Sequence, residues 1–174
     1  VQLFSQIQQL EPRPLFIANI GDFAAPDSGP DAEMAEGRHS GITEYAPYLE
    51  LVDGCDIPIV SVVGNHDIED GFGKYNSYFG DENFNFDFGN TDFIAIHSAH
   101  GNPSRGIFGP REQDLTFLDR QLRSATHRNK IVFMHIPPYL ENEFSWKPGM
   151  AGFKEQEEQF RATVERHGVK MVAS

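Results

Sequence analysis

Cysteine occurs once in the 174 residues, at Cys55, so no disulfide can form within the chain. That scarcity favours a reducing, cytoplasmic compartment. Basic residues are also few, with 14 Lys and Arg against 26 Asp and Glu and a formal net charge of −12. Such a surface is ill suited to coating nucleic acid. It leaves phosphorylated substrates open, because bound cations can reverse the potential at a site. No apolar run approaches the ~20 residues that a helix needs to cross a bilayer, and no signal-peptide pattern is visible. Internal repeats and low-complexity tracts are missing as well. The hydrophobic content of 39% is enough for a buried core, and the length fits one domain spanning 1–174.

Periodicity divides the chain into alternating helices and strands. Leu3, Ile7 and Leu10 lie on one helical face, predicting a helix from Val1 to Leu10. Glu11-Pro12-Arg13-Pro14 ends it. A strand over Leu15–Ile20 leads into a long loop, Phe23–Gly41, whose only anion-suited residues are Arg38 and His39. Loops of that length are commonly functional or disordered. Tyr45, Tyr48, Leu49 and Val52 predict a helix over Thr43–Val52, with Pro47 tolerable only in its first turn. A strand from Ile57 to Val63 and a short helix, Phe72–Phe79, closed by Gly80, follow. Alternating Phe84, Phe86 and Phe88, then Gly89-Asn90, then Phe93 to Ile96, predict a β-hairpin over Asn83–His97. Ser98–Gly109 reads as loop, Pro110–Ala125 as helix and Lys130–Met134 as strand. A Pro-rich loop, Ile136–Gly152, precedes a helix, Phe153–His167, and a last strand, Val169–Ala173. This alternation implies an α/β fold with largely parallel sheets, flanking helices and one hairpin.

Three of the strands end in side chains that can hold a metal. Leu15–Ile20 runs into Gly21-Asp22, Ile57–Val63 into Gly64-Asn65-His66-Asp67, and Ile131–Met134 into His135, followed by Ile136-Pro137-Pro138. In open α/β sheets, sites lie beyond the carboxyl ends of the strands. Asp22 offers a carboxylate that can bridge two cations, Asn65 a neutral carbonyl oxygen, and His135 an imidazole nitrogen. Each has a plain structural alternative: a turn cap at Asp22, a turn former at Asn65, and a packed strand-end histidine at His135. His97 ends the second hairpin strand. His127 and His167 lie at helix C-termini, where a cation meets the dipole favourably.

These residues, in this order, resemble the calcineurin-like metallophosphoesterase superfamily. Gly64-Asn65-His66-Asp67 after a strand is the specific part of the match, whereas Gly21-Asp22 alone is common. The resemblance implies a four-layer sandwich and hydrolysis of a phosphoester by a metal-activated water. It also implies two divalent cations in the full-length protein, with Mn²⁺, Fe and Zn²⁺ all compatible with the mixed ligands. Asp22 would bridge the metals, Asn65 and His135 would bind the second, and His66 would be the general acid to the leaving oxygen. Arg38, His39 and His97 are substrate-side candidates. Two family motifs, Asp-x-His and Gly-His-x-His, do not occur in this chain. Ala25 stands where some branches carry an acid and purple acid phosphatases a tyrosine. The chain therefore reads as a fragment lacking the first strand and the final segment, incomplete at both ends, with an exposed sheet edge that favours association. The competing expectations are a catalytically inactive interaction or metal-binding module of the same fold, and an unrelated α/β ligand-binding domain.

Overall fold

A computed structural model describes residues 2–26, 43–68, 72–102, 107–138, 153 and 156–174. In chain order the elements are α1 (Gln2–Gln8), β1 (Ile17–Asn19), β2 (Ala25–Pro26), β3 (Thr43–Glu44) and α2 (Ala46–Asp53). There follow β4 (Ile59–Ser61), a 3₁₀ turn at His66–Ile68, α3 (Phe72–Phe79), β5 (Phe84–Phe88) and β6 (Thr91–Ala95). The chain then forms β7 (His100–Asn102), β8 (Ile107–Gly109), α4 (Glu112–Ser124), β9 (Asn129–Phe133), α5 (Glu157–Arg166) and β10 (Met171–Ala173).

Two sheets organise the molecule. β1 pairs with β4 in parallel, Ile17 opposite Ile59 and Asn19 opposite Ser61. The larger sheet runs β10-β9-β6-β5, parallel except for the antiparallel β5–β6 hairpin. Alternation of side chains puts two different faces of each strand to use. Phe93 and Ala95 of β6, with Phe133 of β9, face the β1–β4 sheet and pack with Val62, Phe16 and Ala18. Ile94 and Ile96, with Val132 and Met134, face the other way, onto Leu115, Leu118 and Leu122 of α4 and Phe160 of α5. On the far side of the small sheet, Val63 packs with Tyr45, Leu49, Tyr75 and Phe79, the inward faces of α2 and α3. The layers are thus helix, sheet, sheet, helix, and the α/β reading with a mostly parallel sheet holds.

Several boundaries differ from expectation. Thr43 and Glu44 do not open a helix but form β3, antiparallel to β2. α2 begins at Ala46, which keeps Pro47 in the first turn; a start at Thr43 would have placed that missing N–H inside the hydrogen-bonded ladder. The segment 98–109, expected to be loop, contains β7 and β8, antiparallel, with His100 opposite Gly109. Strands this short have no side-chain period to betray them. α5 begins at Glu157 and not at Phe153, although Phe153 is buried edge-on against Phe160. Most of the loops expected at 23–41 and 136–152 lies outside the described residues. No helix among the described residues is long and apolar enough to cross a membrane.

Candidate metal centre

β1, β4 and β9 all deliver their carboxyl ends to one place. Asp22 follows β1, Gly64 to His66 follow β4, and His135 follows β9. Oδ2 of Asp22 lies 3.2 Å from Nε2 of His135, although the two residues belong to different sheets. The other ring nitrogen of His135, Nδ1, is 2.9 Å from the carbonyl oxygen of Ile20. A carbonyl can only accept, so Nδ1 carries a proton there and Nε2 is the nitrogen turned to the carboxylate.

Close backbone approach makes this possible. A Cβ on Gly64 would lie 2.3 Å from Asp22 Oδ1 and 2.4 Å from Asp22 N. A Cβ on Gly21, whose φ is +110°, would lie 2.5 Å from Nδ1 of His135. Asp22 itself is held at φ 56°, in the left-handed region. Such backbone costs of order 1–3 kcal/mol, is sustained only when the surroundings enforce it, and clusters at functional sites. Here the enforcement comes from Asp67. Its Oδ2 accepts from the N–H groups of Gly64 (2.7 Å) and Asp22 (2.9 Å), and its Oδ1 from Ala24 N–H (2.9 Å). The Tyr45 hydroxyl donates to the Asp67 carbonyl at 2.5 Å. The N–H of His66 donates to Oδ1 of Asp22 at 3.0 Å, leaving Oδ2 to face His135. Across the seam, Oγ of buried Ser98 accepts from the N–H groups of His135 (3.1 Å) and Ile136 (2.7 Å).

The charges respond to this geometry. Burial pushes the Asp22 carboxyl up, but its bond to His135, that ring's charge and the His66 N–H together hold it below the usual carboxylate range. Burial pulls the His135 imidazole down, and Asp22 outweighs it, so His135 is raised. Each of the two groups thus favours the charged form of the other. Asp67 is raised, mainly by burial, and its three N–H donors only partly offset this.

Of the residues singled out in the sequence, Asp22 and His135 meet directly. Asn65 lies half-buried in the turn between Gly64 and His66, both of which touch Asp22. The His66 backbone is fixed to Asp22, and its ring charge is felt there. Arg38 and His39 lie outside the described residues. His97, read as substrate-side, is fully buried, with its ring centroid 3.6 Å from that of His100. His127 bonds through Nδ1 to Asp92 (3.1 Å), and His167 through Nε2 to Asp119 (2.9 Å). Sequence reasoning missed Asp67 as the strut of the turn, and Ser98. It also missed Glu82 and His100, which with His97 form a group whose ligand atoms lie within 4.8 Å of one another. The one available signal was His97-x-x-His100 itself.

A strand-end carboxylate and imidazole thus meet across two sandwiched sheets, beside Gly-Asn-His-Asp, in a layered α/β fold of the metallophosphoesterase class. The model of the calcineurin-like phosphoesterase family matches residues 1–174, and the chain belongs to that family. It is 33% identical over 152 residues to the serine/threonine-protein phosphatase CPPED1 of Homo sapiens, and 28% identical over 149 residues to that of Bos taurus. Each of those matches covers 81% of this chain and 46% of the relative. It is also 27% identical over 140 residues to a probable glycerophosphodiester phosphodiesterase, GpdQ, of Arcobacter nitrofigilis, covering 76% of this chain and 45% of that one. The chain thus spans about half the length of these curated relatives. The family implies divalent metal ions, and the donors fit one: a carboxylate oxygen and an imidazole Nε2 face each other with the second ring nitrogen already committed.

Proposed function

We propose that the whole protein hydrolyses phosphoesters at a two-cation centre, to which this chain gives Asp22, Asn65 and His135 as ligands and His66 as general acid. The observation that carries this reading is the Asp22–His135 pair, 3.2 Å apart, with Nδ1 of His135 bonded to Ile20. Two phosphoesterase-named relatives of different substrate class support the reaction type and leave the substrate a phosphomonoester or a phosphodiester. Divalent cations bound there, Mn²⁺, Fe or Zn²⁺, supply Lewis-acid polarisation of the phosphoryl oxygens and lower the pKa of water.

The chain's own residues do the rest. Asp22 presents Oδ2 because the His66 N–H occupies Oδ1. His135 presents Nε2 because Ile20 fixes its tautomer. Asn65 adds an oxygen without adding charge. His66 holds a proton on its ring for the departing alkoxide, a role worth roughly 10²–10⁴-fold in rate. The test is a panel of phosphomonoesters and phosphodiesters given to the full-length protein with Mn²⁺. His66→Ala is expected to keep its metal and lose roughly 10²–10⁴-fold in kcat, while Asp22→Ala loses metal. Equal metal loss in both variants would make His66 a ligand and end this division of roles.

A further inference from the structure

Glu82, His97 and His100 converge from three segments outside the Asp22–His135 pair. Glu82 precedes β5, His97 ends the run after β6, and His100 lies on β7. Oε1 of Glu82 accepts from Nη2 of Arg111 at 2.5 Å. Its other oxygen, Oε2, is buried and turned to Nδ1 of His97 at 3.5 Å, which is long for a hydrogen bond. The backbone N–H of His97 donates to Asn83 Oδ1 at 2.7 Å, and Asn83 Nδ2 donates in turn to Asp114 Oδ1 at 2.7 Å. Nε2 of His100 lies 3.6 Å from Oδ2 of Asp114, which is fully buried.

One ligand atom from each of Glu82, His97 and His100 lies within 4.8 Å of the other two. In a tetrahedral shell with metal–ligand distances of ~2.0–2.2 Å, neighbouring ligand atoms are ~3.3–3.6 Å apart. The Glu82–His97 spacing of 3.5 Å already has that length. The His97 and His100 rings face each other with centroids 3.6 Å apart, so His100 has to turn off the face of His97 to become the third ligand. The bland alternative is a polar network tying the β5–β6 hairpin to α4. Arg111 does make that tie, through Glu82 Oε1 and Asp114. It does not account for two imidazoles brought together beside the second Glu82 oxygen.

We propose that Glu82, His97 and His100 form a cation site of their own, for a borderline ion such as Zn²⁺ or Co²⁺ that takes two imidazoles and one carboxylate. His100 is pushed down to about 4 by burial and by neighbouring His97 and Arg111, so its ring is neutral at pH 7. Glu82 is held down at about 2, first by His97 and then by Arg111, and is ionised. A bound ion would fix the chain on either side of Ser98, the residue whose Oγ braces His135.

The test uses the 174-residue chain carrying Asp22→Ala and His135→Ala, so that the other centre is disabled. After chelation, Co²⁺ is added and followed by its visible absorption and by elemental analysis. One tightly held equivalent is expected, with a rise in Tm. Adding His100→Gln or Glu82→Gln should weaken it roughly 100-fold or more. No cobalt binding by the Asp22→Ala/His135→Ala chain would overturn the proposal, as would binding unchanged by both further substitutions. Should those variants fail to fold, X-ray absorption of the zinc-loaded Asp22→Ala/His135→Ala chain decides. Two imidazoles in the shell are expected, and fewer contradict the site.

Discussion

At Gly64 a single added methyl group has much to disturb. Its added Cβ would press on both the side chain and the backbone nitrogen of Asp22, at 2.3 and 2.4 Å, and neither is the free end of a flexible group. Gly64→Ala should therefore shift the turn, cost about 1–3 kcal/mol of stability and weaken Mn²⁺ binding at least tenfold. Urea unfolding and metal titration of the variant check both. Asp67→Asn makes a second case. Its amide offers one acceptor where the carboxylate had two, and turns a donor toward N–H groups of Asp22, Gly64 or Ala24. It should weaken Mn²⁺ binding although Asp67 is not proposed to touch the metal; unchanged affinity in a folded variant would contradict that. The two residues differ in how far the sequence reveals them. Gly64-Asn65-His66-Asp67 is local and legible as a strand-end motif. The work of the Asp67 carboxylate is not, because two of its three donors lie 43 and 45 positions away in the chain.

At the scale of elements, α4 is anchored by Asp114, whose Oδ2 accepts from the Arg111 N–H and Nε, and whose Oδ1 holds Asn83. Through Arg111 the same anchor reaches Glu82 at the start of the hairpin. Glu82 carries the clearest pH dependence. Its folded pKa, about 2, lies below the ordinary 4.5, so its contribution is complete above 4.5 and fades as pH falls toward 2. In chelator-treated protein, the urea midpoint should fall across that window, and Glu82→Gln should flatten part of the fall while lowering the midpoint at pH 7. A variant with the unchanged acid profile would show that Glu82 gains nothing on folding. Helices and long strands were legible because their periods are: α4 from Leu115, Leu118 and Leu122, and the hairpin from its alternating phenylalanines. β2, β3, β7 and β8 were not, since strands of two or three residues are defined by a partner elsewhere in the chain.

The whole molecule is a sandwich whose seam carries the centre, Asp22 arriving from one sheet and His135 from the other. Phe93 sits in that seam, its ring 5.3 Å from Phe16, 4.8 Å from Phe86 and 5.7 Å from Phe133. Phe93→Ala should cost about 3–5 kcal/mol and, by loosening one sheet on the other, weaken metal binding without touching a ligand. Calorimetry and Mn²⁺ titration read the two effects. The measurement that bears most directly on the centre is the position of the metal itself. A crystal of the 174-residue chain grown with Mn²⁺ and recorded at a wavelength sensitive to manganese should show an anomalous peak ~2.0–2.3 Å from Oδ2 of Asp22 and Nε2 of His135. Manganese found only elsewhere, with Asp22 and His135 still paired to each other at saturating Mn²⁺, would contradict the account.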